Sequence, residues 1–260
     1  SKMVAVIFYT YEFHFRAERI SLGVFQKRQI KVYAVPTHNK NIKQYEDVDN
    51  EIFTWTTTDK KIATVDSNGI VTGKANGKAK IKAILKDEKY KDIPVNRKVM
   101  GYVSVAPIQE SEIFGGKYVQ NKQFIVEPPK YEIKGSSGWI IDSLGVGTKK
   151  PAGGKGGKEK VVSSANITTI EMTVVKNNYF SESIKGNNEN WNLVRISFRS
   201  KNGKVETIGN DKNVCELKFE HSICQDKVYE IPNGRVFVGM RIYYGRYIHG
   251  IKILTTPGDY

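Results

Sequence analysis

The chain carries none of the short signatures on which recognisable catalytic chemistry rests. It has no Gly-x-Ser-x-Gly elbow, no His-Glu-x-x-His pair, and no glycine loop that ends in Gly-Lys-Ser/Thr and leads into a helix. Its four histidines, His14, His38, His221 and His249, have no nucleophile motif beside them, and nothing points to the paired carboxylates of glycoside hydrolysis. An enzyme is therefore not expected. Cysteine is almost missing: the two present, Cys215 and Cys224, are close enough to staple a hairpin and equally compatible with two buried thiols, so the redox compartment stays open. Their spacing with histidine suggests no zinc site, and no other metal or cofactor is implied. Long apolar runs are absent as well. Val4 to Tyr9 is far too short to cross a bilayer and lacks a signal peptide's layout. The abrupt start and stop in strand-like sequence read as a segment of a longer protein.

What the 260 residues do contain is Tyr, Phe, Thr, Val and Ile, with Gly and Asn scattered between them, a mixture that favours strands and turns. No stretch sustains apolar residues at helical spacing. The formal net charge is +14. A balance of this size favours anionic partners without choosing among nucleic acid, membrane and acidic glycan. The lysines are spread along the whole chain, as a solvated surface requires.

Period-two alternation runs through most of the sequence. Phe13 and Phe15, then Ile30 and Val32, then Ala79, Ile81 and Ala83 alternate with polar neighbours, which gives each strand one buried and one wet face. Asn68-Gly69 between Ala63-Thr64-Val65 and Ile70-Val71-Thr72 is a hairpin signal, because both turn positions tolerate positive φ. Residues 1–106 therefore predict a β-sandwich. Residues 107–129, with Pro107, Gly115, Gly116, Pro128 and Pro129 and little sustained pattern, predict a linker. From residue 130 onward the alternation returns: Ile170, Met172 and Val174; Val194, Ile196 and Phe198; Val236, Val238 and Met240. A closed or prism-like arrangement of these strands would remove exposed edges.

Two stretches go further than a fold class. Trp55-Thr56-Thr57-Thr58-Asp59, the strand Ala63-Thr64-Val65-Asp66, the hairpin Gly69-Ile70-Val71-Thr72, and Gly77-Lys78-Ala79-Lys80-Ile81 resemble the core of the bacterial Ig-like group 2 domain. The likeness spans about residues 16–106 and implies a sandwich of the spacer or adhesive kind found on surface proteins. Gly138-Trp139-Ile140-Ile141-Asp142, followed by Gly153-Gly154-Lys155-Gly156-Gly157, resembles the jacalin-related lectins, in which a Gly-x-x-x-Asp hairpin neighbours a Gly-Gly-x-Gly-Gly run. That likeness spans about residues 130–260. It implies a β-prism of three Greek-key sheets that binds carbohydrate without metal. Here the two motifs stand in the reverse of the family's order, which suggests a circular permutation.

The resemblance implies a sugar site made of Gly138, Trp139, Ile140, Asp142, Gly153 and Gly154. Asp142 would be the charged acceptor for a hydroxyl. The main-chain N–H groups of Trp139 and Ile140 would donate, Gly153 and Gly154 would leave room for the ring, and Trp139 would offer an apolar face. Gly245, Tyr247 and His249 repeat the spacing with histidine in the acidic position, a candidate secondary site. The competing reading makes Trp139 core, Asp142 a turn cap and the glycines a plain loop. Lys149, Lys150, Lys155, Lys158 and Lys160 surround the run and can read an anionic glycan or a lipid phosphate. Asp47, Asp49, Asn50 and Glu51 offer oxygens to calcium but lack EF-hand spacing. Asn166-Ile167-Thr168 is a glycosylation sequon. The expectation is a non-catalytic glycan-binding module with an Ig-like spacer, extracellular or at a cell surface, whose partners are glycans and the rest of the parent protein; nucleic acid is not expected. The alternatives are a structural or protein-interaction segment and a membrane-targeting domain of a toxin.

Overall fold

The computed structural model describes residues 11–36, 46–86, 97–176, 191–209 and 223–258. The chain divides into two compact units, Ser1–Pro107 and Ile108–Tyr260. His38, Cys215 and His221 lie outside the described residues; Cys224 is disulfide-bonded.

The first unit is built from β1 (Tyr11–Phe15), β2 (Arg19–Leu22), β3 (Lys27–Gln29), β4 (Val32–Pro36), β5 (Glu46–Val48), β6 (Phe53–Thr57), β7 (Ala63–Val65), β8 (Ile70–Gly73), β9 (Gly77–Leu85) and β10 (Lys98–Val105), with one short 3-10 turn at Asn50–Ile52. They form the sheets β2-β10-β9-β6, β1-β4-β5 and β3-β8-β7. Alternation decides what each sheet buries. Ala79, Ile81 and Ala83 are buried along β9, and Phe13 and Phe15 along β1. Phe15 stacks on Trp55 at 5.8 Å and Phe13 meets Phe53 edge-on at 5.4 Å, which locks two of the sheets face to face. The hairpin at Asn68-Gly69 is present but wider than a two-residue turn: Gly69 N–H bonds Asp66 O at 3.1 Å, Asp66 Oδ1 accepts the N–H groups of Asn68 and Ile70, and only Gly69 carries positive φ (73°). The acidic loop has its own employment. Asp47 is bonded by Arg16 at 2.7 Å and Lys31 at 3.4 Å, and Asp49 Oδ1 accepts the N–H of Glu51 at 2.9 Å.

The second unit contains β11 (Gln109–Glu110), β12 (Phe114–Gly115), β13 (Asn121–Ile125), β14 (Lys130–Ser137), β15 (Ile141–Val146), β16 (Ala152–Gly153), β17 (Lys158–Ala165), β18 (Ile167–Lys176), β19 (Trp191–Ser200), β20 (Val205–Gly209), β21 (Ile223–Glu230), β22 (Arg235–Tyr244) and β23 (Ile248–Pro257). Three sheets result: β11-β23-β22-β13 with β12 beside β23, β16-β15-β14-β17, and β20-β19-β18-β21. This is a β-prism. Its axis is filled by residues from all three sheets, among them Phe124, Ile133, Phe198, Phe237 and Ile251. Tyr131 Oη donates to Phe237 O at 2.5 Å, so even the phenol of the core has its partner.

The segment read as a linker is a correction. Residues 109–125 supply β11, β12 and β13, and bury Phe114 and Phe124 at 4% and 0% exposure. Arg241 holds them in place: its guanidinium bonds Glu110, Asn121 and Gln123, and Lys252 adds a second cation at Glu110. The strands are two to five residues long, too short for alternation to register.

Candidate functional site

One end of the prism gathers three turns. The first joins β14 to β15. Ser136 pairs with Ser143 and Ser137 with Ile141, so the register shifts by one and Asp142 is the extra, unpaired residue. A bulge of this kind re-aims a side chain at the end of a ladder. The tip Gly138-Trp139-Ile140 closes through Gly138 N–H to Ile140 O at 3.1 Å. Ile140 is buried against Val175 and Val194, which anchors the tip, while Trp139 is 51% exposed.

The second turn is the glycine run. Ser143 pairs with Gly153 and Leu144 with Ala152, so the run leaves the sheet beside the bulge. Gly154 N–H bonds Asp142 O at 2.9 Å and Arg246 O at 3.1 Å. Gly156 then passes over the carboxylate: a Cβ built on it would stand 2.9 Å from Asp142 Oδ1 and 3.1 Å from Cγ. Gly157 (φ 63°) returns the chain against Ser137.

The third turn, Gly245-Arg246-Tyr247, joins β22 to β23 and closes through Gly245 N–H to Tyr247 O at 3.0 Å. Arg246 is exposed, with its guanidinium 5.6 Å from the Tyr247 ring centre. Tyr247 packs against the cluster of Ile140, Val175 and Val194.

The product is a notch with the Asp142 carboxylate half-buried in it. Burial pushes this carboxyl above its ordinary value of 3.8, against the opposing pull of the Gly138 N–H and the Arg246 charge. A half-buried carboxylate walled by glycine main chain, on a hairpin whose tip exposes Trp139, can accept hydrogen bonds from ligand hydroxyls.

Gly138, Trp139, Ile140, Asp142, Gly153 and Gly154 thus come together. Their jobs differ from expectation in two respects. Gly154 does not leave room for a ligand ring: its N–H is bonded inside the protein and a Cβ on it would stand 2.5 Å from Arg246 O, so it fastens three turns. Ile140 contributes its side chain to the core. The spacing Gly245 to His249 does not make a separate site. Gly245 and Tyr247 belong to the third turn of the same notch, whereas His249 is 4% exposed, contacts Trp191 O through Nδ1 at 3.1 Å and stacks on Tyr118 at 4.4 Å. Gly156 and Arg246 are the residues the motif reading passed over. Gly156 stands inside the run it singled out, and Arg246 inside the repeated spacing.

No curated protein sequence matches the chain. Among solved structures it is similar to the second β-prism domain of RbmC from V. cholerae, a structure bound to N-acetylglucosaminyl-β-1,2-mannose, at 20% identity over 56% of this chain and 98% of that one, with a TM-score of 0.43. The V. cholerae biofilm matrix protein Bap1 is matched at 12% identity over 90% of this chain and 48% of that one, TM-score 0.44. AcmJRL, a mannose-binding jacalin-related lectin from Ananas comosus, is matched at 15% identity over 58% of this chain and 99% of that one, TM-score 0.41. In the first unit, residues 14–94 match the family model of the bacterial Ig-like domain (group 2).

Proposed function

We propose that the second unit is a non-catalytic glycan-binding module, that the Ig-like unit serves as its spacer, and that the pair works outside the cell or at its surface. One observation supports this above the rest: a bulged strand, a glycine run and a third turn converge so that the main chain of Gly156 lies over the carboxylate of Asp142. A sugar ring presents hydroxyls on its edge and C–H groups on its face. Asp142 accepts from two neighbouring hydroxyls, Gly156 leaves the ring room to approach, and Trp139 covers the C–H face. Arg246 sits at the rim, where it suits a glycan with an acidic substituent. No metal takes part in this scheme. A single shallow notch gives weak monosaccharide affinity, which multivalent presentation raises.

A glycan array followed by calorimetry tests it. The wild type binds a defined set of glycans. Asp142→Ala loses a charge-assisted hydrogen bond worth ~1.5–3 kcal/mol, a drop of about 10- to 150-fold, with no loss of thermal midpoint. A wild type that binds no glycan at all discards the proposal in favour of a protein-interaction segment.

A further inference from the structure

The opposite end of the prism holds a second site of different chemistry. β14 begins at Lys130 and ends at Ser137, so its eight extended residues put about 23 Å between the cleft at Lys130 and the Asp142 notch. The cleft has a volume of about 460 Å³, and its lining includes Lys130, Ser164, Ser200, Lys201, Asn202 and Lys204. It forms where the turn after β17 meets the β19–β20 turn, tied together by Lys201 N–H to Asn166 O at 3.0 Å.

Its floor is short of an acceptor. Ser164 and Ser200 are 3% and 6% exposed, and their hydroxyls lie 3.0 Å apart. Two hydroxyls carry two protons, and one hydrogen bond between them uses one. Neither has another partner among the described residues, so one buried O–H remains to donate. Asn202 adds to this bias: its Oδ1 accepts the N–H of Lys204 at 3.1 Å, which leaves its amide N–H groups as the unused part. Three lysines, Lys130, Lys201 and Lys204, line the cleft with these donors, and among the described residues no carboxylate residue lines it. Glu206 pairs with Lys204. A pocket that offers O–H, N–H and ammonium donors and no free carboxylate is complementary to a ligand that only accepts.

We infer that this cleft binds a tetrahedral oxyanion carried on a saccharide, a sulfate or phosphate ester, independently of the Asp142 notch. The experiment is calorimetric titration of the full chain with a heparin-derived hexasaccharide, its desulfated form, and mannose 6-phosphate. Binding of the sulfated or the phosphorylated probe, with none of the desulfated one, is expected, and the stronger of the two identifies the ester. Lys130→Ala and Lys204→Ala each weaken it by about 3- to 10-fold and together by more than 10-fold. The double variant Ser164→Ala/Ser200→Ala, which removes both hydroxyls and leaves neither unpaired, weakens it by about 3- to 10-fold at a nearly unchanged thermal midpoint. Asp142→Ala leaves it intact, and Lys227→Ala, which removes one exposed charge elsewhere on the prism, changes it less than about 2-fold. The inference is overturned if neither ester binds, if Lys227→Ala costs as much as Lys130→Ala, or if loss of both lysines has no effect. If the double serine variant fails to fold, the variants of the two exposed lysines decide the outcome.

Discussion

Asp142 and Glu110 are carboxylates in one prism with opposite responses to folding. Burial raises the carboxyl of Asp142 above 3.8 in spite of the Gly138 N–H and Arg246. Glu110 is partly buried too, but bonds from Arg241 and Lys252 outweigh that and hold it below 4.5. The folded state therefore binds the Asp142 proton more tightly than the unfolded chain does, and its ionisation costs stability as pH rises from the unfolded value through the folded one. Asp142→Asn raises the thermal midpoint at neutral pH, an advantage that vanishes in acid below the ordinary aspartate range. For Glu110 the sign reverses. Its contribution is present above 4.5 and is lost as pH falls through the folded value, so Glu110→Gln lowers the midpoint at neutral pH. Thermal melts from about pH 3 to 7 separate the two. The same shift bears on binding: the notch needs an ionised acceptor, so glycan affinity falls off at a higher pH than an ordinary aspartate would dictate. Affinity that stays flat down to about pH 4 would remove Asp142 from the site.

At the scale of the turn, adjacent glycines in one run do different work. A Cβ on Gly156 meets only the Asp142 side chain, which can rotate away; a Cβ on Gly157 runs into the Ser137 carbonyl, at a positive φ of 63°. Gly156→Ala therefore displaces the carboxylate and removes glycan binding with the thermal midpoint nearly unchanged. Gly157→Ala destabilises the module by about 2 kcal/mol or more, through left-handed strain plus a backbone clash. Paired melting and binding curves distinguish them, and equal loss of stability in both variants would contradict the notch geometry. The meeting of Asp142 with Gly153-Gly154 was implied by the lectin resemblance alone, and the long strands were legible in the sequence, because period-two alternation is written within short stretches of chain. The third turn was not. Arg246 O reaches Gly154 N–H from a distant part of the chain, and no local pattern encodes a pairing between the β22–β23 turn and the glycine run. His249 misled for a related reason: an imidazole suits a binding rim or a stacked interior equally, and only the Tyr118 ring decides.

At the scale of the whole chain, the boundary between the units is where sequence pattern and folded structure diverge most, and cutting the chain there tests which of them holds. Alternation starts at residue 130, yet the prism's first sheet consists of β22 and β23 flanked by β13 on one side and by β11 and β12 on the other. Removing residues 108–129 strips those flanks, exposes the edges of two long apolar strands, and deletes Phe114 and Phe124 from the core. Losing one buried phenylalanine costs ~3–5 kcal/mol. Two of them cost ~6–10, comparable with the ~5–15 kcal/mol that holds an ordinary domain together. Residues 130–260 produced alone should therefore aggregate or remain unfolded, whereas residues 108–260 should melt cooperatively and keep the glycan affinity of the full chain. Circular dichroism melts and one calorimetric titration on each fragment make the comparison. A cooperative, glycan-binding 130–260 fragment would mean that Phe114, Phe124 and the Arg241–Glu110 clamp decorate the prism rather than complete it.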